Sequence, residues 1–173
     1  MDEDVPPGFA DFVASRYSSL ARSAYLLVDD RGGAEDLVQS ALFRTFAAWD
    51  RLRAGEAAEA YTRKTMVHLA SRWRRRRWHG EIPDDRIASR PGFHDPISSP
   101  DRAVDVRVAL SRLPLPQRAV LVLRYFDDLS EVETARVLGC SVGAVKSRAS
   151  RGLTTLRAAG LLGPPAMMEV RDG

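Results

Sequence analysis

Apolar residues recur along most of this chain at three- and four-residue steps, the spacing of helices that bury one side. After Pro6-Pro7, the positions Phe9, Phe12, Val13, Tyr17, Leu20, Ala24 and Leu27 predict an amphipathic helix ending near Val28, and Asp29-Asp30-Arg31-Gly32-Gly33 reads as its breaker. Leu37, Val38, Ala41, Leu42, Thr45 and Phe46 predict a second helix over 34–49. Glu35 and Asp36 fall in its first turn, where the helix dipole favours negative charge. Its other face carries Asp36, Gln39, Phe43 and Ala47; Phe43 there reads equally as core or as part of a partner surface. A loop over 50–56 leads to a third helix from Ala57 to His79, with Tyr61, Thr65, Met66, Leu69, Ala70 and Trp73 inward.

Periodicity stops at Gly80. Up to Pro100 the chain holds Pro83, Pro91, Gly92, Pro96, Ser98 and Ser99, the composition of a linker long enough to leave the flanking parts as separate domains whose relative placement can change. Helical pattern resumes after Asp101 with Val106, Ala109, Leu110 and Leu113. Pro114 and Pro116 stop that helix and start another over 117–126. Ser130 followed by Glu133 is a capping box, Leu138-Gly139 supplies a left-handed helix end, and Ser141 caps a second helix reaching Arg157. Capped helix, glycine turn and capped helix make a helix-turn-helix. The expectation is an all-α chain of two small helical domains, 1–79 and 101–160, with a flexible linker over 80–100 and a tail over 161–173.

On the last helix Val142, Val145, Ala149 and Leu156 share one side, leaving Ser147, Ser150, Arg151 and Thr154 on the other. Lys146, Arg148, Arg151 and Arg157 supply cations with no carboxylate between Ser141 and Arg157, and small serines permit close approach, as a major-groove reader requires. The plainer reading is a solvated face of a helical bundle. A second basic stretch ends the third helix, where five arginines between Arg72 and Arg77 stand with Trp73 and Trp78. Guanidiniums suit phosphates and indoles suit unstacked bases; the alternative is cations favoured by a helix C-terminus over packed tryptophans.

With 173 residues, a net charge of +3 and a pI near 9.4, the chain can fill one mid-sized domain or two small ones. The lone Cys140 excludes an intrachain disulfide and reads as a small packed hydrophobe. No apolar run is long enough to span a bilayer, and the acidic start MDEDVPPGF is unlike a signal peptide, so a cytoplasmic protein without membrane insertion is expected. There is no Walker loop, no Cys/His zinc spacing and no paired carboxylate cluster, and His68, His79 and His94 are not spaced for ligation. No catalytic residue, metal, cofactor or small-molecule substrate is therefore expected.

The segments AEDLVQSALFRTFAAW, AYTRKTMVHLASRWRRRRW and LSRLPLPQRAVLVLRYFDDLSEVETARVLGCSVGAVKSRASRGLTTLR resemble regions two and four of an extracytoplasmic-function (group four) sigma factor of bacterial RNA polymerase, of the actinobacterial sigma-E type. The resemblance covers nearly all of residues 9–157. It implies a dissociable, non-enzymatic subunit that binds core RNA polymerase, recognises the minus-ten and minus-thirty-five elements of promoter DNA and assists strand opening. Asp36, Gln39 and Phe43 would contact polymerase. Leu52, Arg53, Glu56, Tyr61, Lys64 and His68 would border a flipped-out minus-ten base, with Arg72, Trp73, Arg75 and Arg76 along the adjoining duplex. Ser141, Lys146, Ser147, Arg148, Ser150 and Arg151 would lie in the minus-thirty-five major groove. Relatives commonly carry asparagine where this chain has His68. An imidazole offers one donor and one acceptor in a geometry unlike an amide's, so an altered base preference is expected there. An anti-sigma factor is implied as a further partner. The competing reading, a stand-alone helix-turn-helix regulator, would share residues 101–157 but add a sensing or dimerising domain, and residues 9–79 show neither a pocket signature nor a heptad seam.

Overall fold

The computed structural model describes residues 5–28, 30–52, 55–78 and 100–162, and the regular structure among them is entirely helical. In chain order the helices are α1 (Phe9–Leu27), α2 (Arg31–Ala47), α3 (Trp49–Leu52), α4 (Gly55–Trp78), α5 (Pro100–Ser111), α6 (Leu115–Leu121), a π-helical turn (Val122–Phe126), α7 (Glu131–Leu138) and α8 (Val142–Ala158). The linker expected over 80–100 and the tail expected from 161 fall mostly outside the described residues.

The start of α2 corrects the sequence reading. Asp30 is its N-cap, its carboxylate accepting from the Gly33 amide at 2.5 Å. A Cβ at Gly33 would lie 2.9 Å from an Asp30 carboxylate oxygen, so the glycine lets the cap close. The supposed breaker is thus a cap and a first turn. Glu35 and Asp36 sit one turn deeper than expected, and the Asp30 carboxylate takes the place at the positive helix end. The loop over 50–56 contains the single turn α3, and α4 begins at Gly55 rather than Ala57.

Leu20, Leu26, Leu37, Val38 and Met66 are fully buried between α1, α2 and α4. Phe9 closes one end, its ring edge-on to Phe46 at 5.2 Å and to Trp49 at 5.1 Å. The Trp49 indole donates to the Pro7 carbonyl at 3.0 Å. Thr45 and Thr62 are buried polar residues whose hydroxyls meet at 2.8 Å, one donating to the other, with the Ala41 and Ala58 carbonyls as the further acceptors within reach.

In the second half α6 and α8 approach closely at Gly152, where a Cβ would lie 3.1 Å from Leu121. The helix expected to run unbroken over 117–126 instead widens after Leu121. The Asp127 amide reaches back to Val122 at 3.1 Å and the Leu129 amide to Leu123 at 3.0 Å. The helix-turn-helix forms as its caps predict. Ser130 accepts from the Glu133 amide at 3.2 Å while Glu133 accepts from the Ser130 amide at 2.7 Å. Gly139 adopts φ 63°, and Ser141 accepts from the Ala144 amide at 3.1 Å. Val120, Ala135 and Val145 form a small core beneath the turn, with Cys140 at its edge.

The two halves pack on each other. α1 lies against α5, α6 and the π turn, and α7 lies against α4. One hydrophobic cluster runs from Phe12 and Leu20 through Leu113, Leu115 and Leu156.

Candidate nucleic-acid interface

Two helices carry the cationic faces that the sequence singles out. On α8, Val145 and Leu156 are buried, which turns Lys146, Ser150 and Arg151 outward and leaves Ser147 and Arg148 half-buried. The Ser141 hydroxyl oxygen is committed to its cap, leaving its O–H as the group free to donate. Lys146 stands 3.5 Å from Glu131 of α7. The Lys146 side chain is 63% exposed and that of Glu131 37%; a pair so open to water contributes about 0–1 kcal/mol, so a phosphate can replace the carboxylate at little cost. Glu133 is tied up in the capping box. Hydrogen bonds from the Ser130 side chain and amide hold its carboxyl below the usual value.

On α4, Tyr61, Lys64, His68, Arg72 and Arg75 follow at three- and four-residue steps and so form one stripe. Tyr61 is half-buried and the other four are exposed. Thr65, Met66, Leu69 and Ala70 are buried on the opposite side as the periodicity predicts, whereas Tyr61, also expected inward, stands half-buried on the stripe and Trp73 is half-buried too. The remaining candidates lie off this stripe. Leu52 and Trp73 pack against the hydrophobic cluster. Glu56 lines a cleft between α4 and α7 with Glu59, Arg63, Leu129 and Arg136. Arg76 faces a groove shared with Gln39, Phe43 and Arg44 of α2. Arg53 is outside the described residues.

Phe43, which the sequence left between core and surface, is 74% exposed. Gln39 and Ala47 are exposed beside it and Asp36 is half-exposed, so the outer stripe of α2 exists as drawn.

Sequence reasoning missed a polar seam between the halves. Arg63 is 4% exposed, and its Nη1 stands 2.5 Å from Oδ2 of Asp127, whose side chain is wholly buried. Ser23 of α1 donates to Asp127 Oδ1 at 2.6 Å and accepts from Arg63 at 3.2 Å. Burial pushes the Asp127 carboxyl above its ordinary value; Arg63, Ser23 and Arg22 offset this only in part. Arg118 of α6, 2% exposed, donates to the Leu27 carbonyl at the end of α1 at 3.0 Å and to the Ser111 carbonyl at 2.8 Å. Nothing local to these residues distinguishes them from the chain's many exposed arginines and aspartates.

Among its described residues this is a helical protein in which a helix-turn-helix with an exposed cationic face is joined in one chain to a second helix with an exposed basic stripe. Residues 12–80 match the family model for Sigma-70 region 2, and residues 103–156 match that for Sigma-70, region 4. The chain is 38% identical over 149 residues to the RNA polymerase sigma-E factor of Streptomyces coelicolor, covering 86% of this chain and 84% of that protein. It is 31% identical to the ECF RNA polymerase sigma factor EcfG of Rhodopseudomonas palustris, over 86% of this chain and 82% of the other. The chain belongs to the sigma-70 family: it is a sigma factor of the extracytoplasmic-function type, which directs transcription initiation by RNA polymerase at promoter DNA.

Solved structures share the fold. The sigma factor RpoE of Bartonella quintana, solved with the anti-sigma factor NepR, superposes with a TM-score of 0.69 at 24% identity, over 90% of this chain and 98% of that one. CnrH, solved with the cytosolic domain of CnrY, gives 0.64 at 24% identity, over 87% and 86%. No helix among the described residues is long and apolar enough to cross a membrane.

Proposed function

We propose that this sigma factor works through three surfaces and performs no chemistry of its own. The α2 stripe of Asp36, Gln39 and Phe43 docks on core polymerase. The α4 stripe of Tyr61, Lys64, His68, Arg72 and Arg75 holds the minus-ten element, with the Tyr61 and His68 rings against unstacked bases and the lysine and arginines against phosphates. The face of α8 bearing Lys146, Ser147, Arg148, Ser150 and Arg151 reads the minus-thirty-five element from the major groove. Leu52, Arg53 and Glu56 border the minus-ten pocket from the α3 end, and Trp73 and Arg76 flank the duplex beyond Arg72. The domains are 1–79 and 101–160, and their site of action is the cytoplasm.

The observation that carries this reading is the α4 stripe. Four exposed polar side chains in helical register, three of them arginine or lysine, back onto a core of Thr65, Met66, Leu69 and Ala70. Nothing in the packing of the helix requires them. Sequestration by an anti-sigma factor is a further part of the proposal, supported by the complexes in which RpoE and CnrH were solved. A stand-alone regulator is not favoured, because the half in which it would need a sensing or dimerising module matches Sigma-70 region 2.

The test is run-off transcription with core polymerase on templates carrying both elements, with and without this chain. Promoter-specific product is expected only when the chain is present. Equal product with it omitted, or no product on any template drawn from its host genome, refutes the reading.

A further inference from the structure

The helix that carries the cationic reading face contains a residue that its own stability argues against. Gly152 is buried in the interior of α8, between the exposed Arg151 and the half-buried Leu153. Glycine is among the poorest residues for such a place, because it gives up more backbone freedom on entering a helix than alanine does. No left-handed conformation asks for it: among the described glycines only Gly8, Gly139 and Gly160 have a positive φ. The reason has to lie in what α8 packs against. α8 rests on α6 at two points. One is Val145, fully buried, which meets Val120 of α6 and Ala135 of α7 beneath the turn. The other is Gly152, two turns on, which presents bare backbone to Gln117 and Leu121 of α6. Two points fix a line, so Val145 sets how deep the start of α8 sits and Gly152 sets its angle.

The clearance at the second point is small. A Cβ on Gly152 would stand 3.1 Å from Cδ1 and 3.5 Å from Cγ of Leu121, and 3.6 Å from Cβ of Gln117. Carbon atoms rest at about 3.5–4.0 Å, so a methyl group there has to open the contact by roughly 0.5 Å. Leu121 is 2% exposed and belongs to the main hydrophobic cluster, so the strain falls on the approach of the two helices. Val145 and Gly152 are about 10 Å apart along the axis, and a gap of that size tilts α8 by roughly 3° about its buried start. The backbone at Ser150 and Arg151 then moves by nearly the whole gap, while Lys146, beside the pivot, hardly moves. A hydrogen bond to a base edge tolerates a spread of only about 0.5 Å in heavy-atom distance. Phosphate contacts fix register without reading sequence, and long side chains on rotatable stems can follow such a shift.

We propose that Gly152 is a positioning residue for sequence readout: by letting α8 lie on α6 with no side chain between them, it sets the angle at which Ser147, Ser150 and Arg151 enter the major groove. The proposal rests on the reading of α8 as the minus-thirty-five contact and deepens it. Gly152 is buried and touches no DNA, so its effect passes entirely through the helix that carries it. Helix formation favours alanine at this position, whereas base recognition favours glycine.

The experiment uses holoenzyme assembled from core polymerase and the full chain, on a promoter recovered by run-off transcription whose upstream element has been randomised. Sequencing the bound duplexes gives the preference for the best element over the pool, and competition with unrelated duplex gives the affinity that is independent of sequence. Gly152→Ala should lower the preference about tenfold, the size of one weakened base contact, and leave the affinity for unrelated duplex within about twofold of the parent. Circular dichroism should show its helices intact. Adding Leu121→Val, which removes the Cδ atoms that the new methyl group meets, should bring the preference back to within about threefold of the parent. A general weakening of the fold would be deepened, not relieved, by trimming a second core residue. A parent-like preference for Gly152→Ala overturns the proposal, as do equal weakening on all sequences and a double variant no better than the single one. An unfolded Gly152→Ala that Leu121→Val does not restore counts against it in the same way. Arg148→Ala combined with Arg151→Ala separates the two levels of the argument. If that pair keeps the parent's preference, the reading of α8 fails; if it loses the preference while Gly152→Ala keeps it, only the positioning role fails.

Discussion

Phe43→Ala separates a docking residue from a packing residue. A phenylalanine ring carries at least about 150 Å² of surface, and here 74% of the residue is in water. Removing it takes little from the folded core. Alanine is the better helix former by roughly 0.5 kcal/mol, so stability should change by no more than about 0.5 kcal/mol in either direction. Docking is another matter. Burying some 110 Å² of ring at about 25 cal/mol per Å² contributes close to 3 kcal/mol, within the 2–4 kcal/mol typical of an aromatic anchor at an interface. Core polymerase should accordingly bind the variant roughly 30- to 1000-fold more weakly. Urea denaturation measures the first quantity and competition against a labelled parent chain for core polymerase measures the second. A stability loss above about 1 kcal/mol would mean that the ring is packed. Unchanged affinity for core would mean that this exposed ring is not the docking point, and the α2 stripe would lose its role.

Four further outcomes follow from the same geometry. Ser130→Ala removes one half of the capping box and should cost about 1 kcal/mol of stability by denaturant titration, with Glu133→Ala costing a similar amount because the two bonds are reciprocal. Arg151→Ala should cost about 1–3 kcal/mol at the cognate minus-thirty-five element and much less on unrelated DNA if it reads a base; uniform weakening on all sequences would make it a phosphate contact. His68→Asn should shift the preferred base at one minus-ten position in open-complex assays on promoters varied there, an identical preference profile counting against the pocket. Because burial raises the Asp127 carboxyl above its ordinary 3.8, its contribution to stability is full below that value and is lost as pH rises through the raised one. Stability measured across mildly acid pH should fall with rising pH on this account, and Asp127→Asn should flatten the slope.

Features that depend on residues within one turn of each other were legible from the chain alone. The capping box, the Gly139 turn and the Ser141 cap each need only a neighbour three residues away, and all form as read. Most of the buried sides of α1, α2, α4 and α8 follow from apolar spacing, but Tyr17, on the apolar side of α1, is exposed and Tyr61 of α4 is only half-buried. Where local signals competed, the reading went astray. Asp30 through Gly33 looked like a breaker because two glycines disfavour helix, but a cap needs the small residue that Gly33 provides. The π turn after Leu121 was invisible, since the residues of Val122–Phe126 would continue an α-helix equally well.

Phe43 shows the limit of periodicity, which places a residue on a face but does not say whether another element covers it. Arg63 and Asp127 go further. One lies among the arginines of α4 and the other in an unremarkable acidic pair, and only the packing of α7 and the π turn on α1 and α4 withdraws both from water. The chain by itself determined the helices, their caps and the two cationic faces, because these rest on short-range hydrogen bonds and on charge. Tertiary structure decided which charges are buried and how the two halves meet, because desolvation and pairing depend on what long-range packing brings alongside.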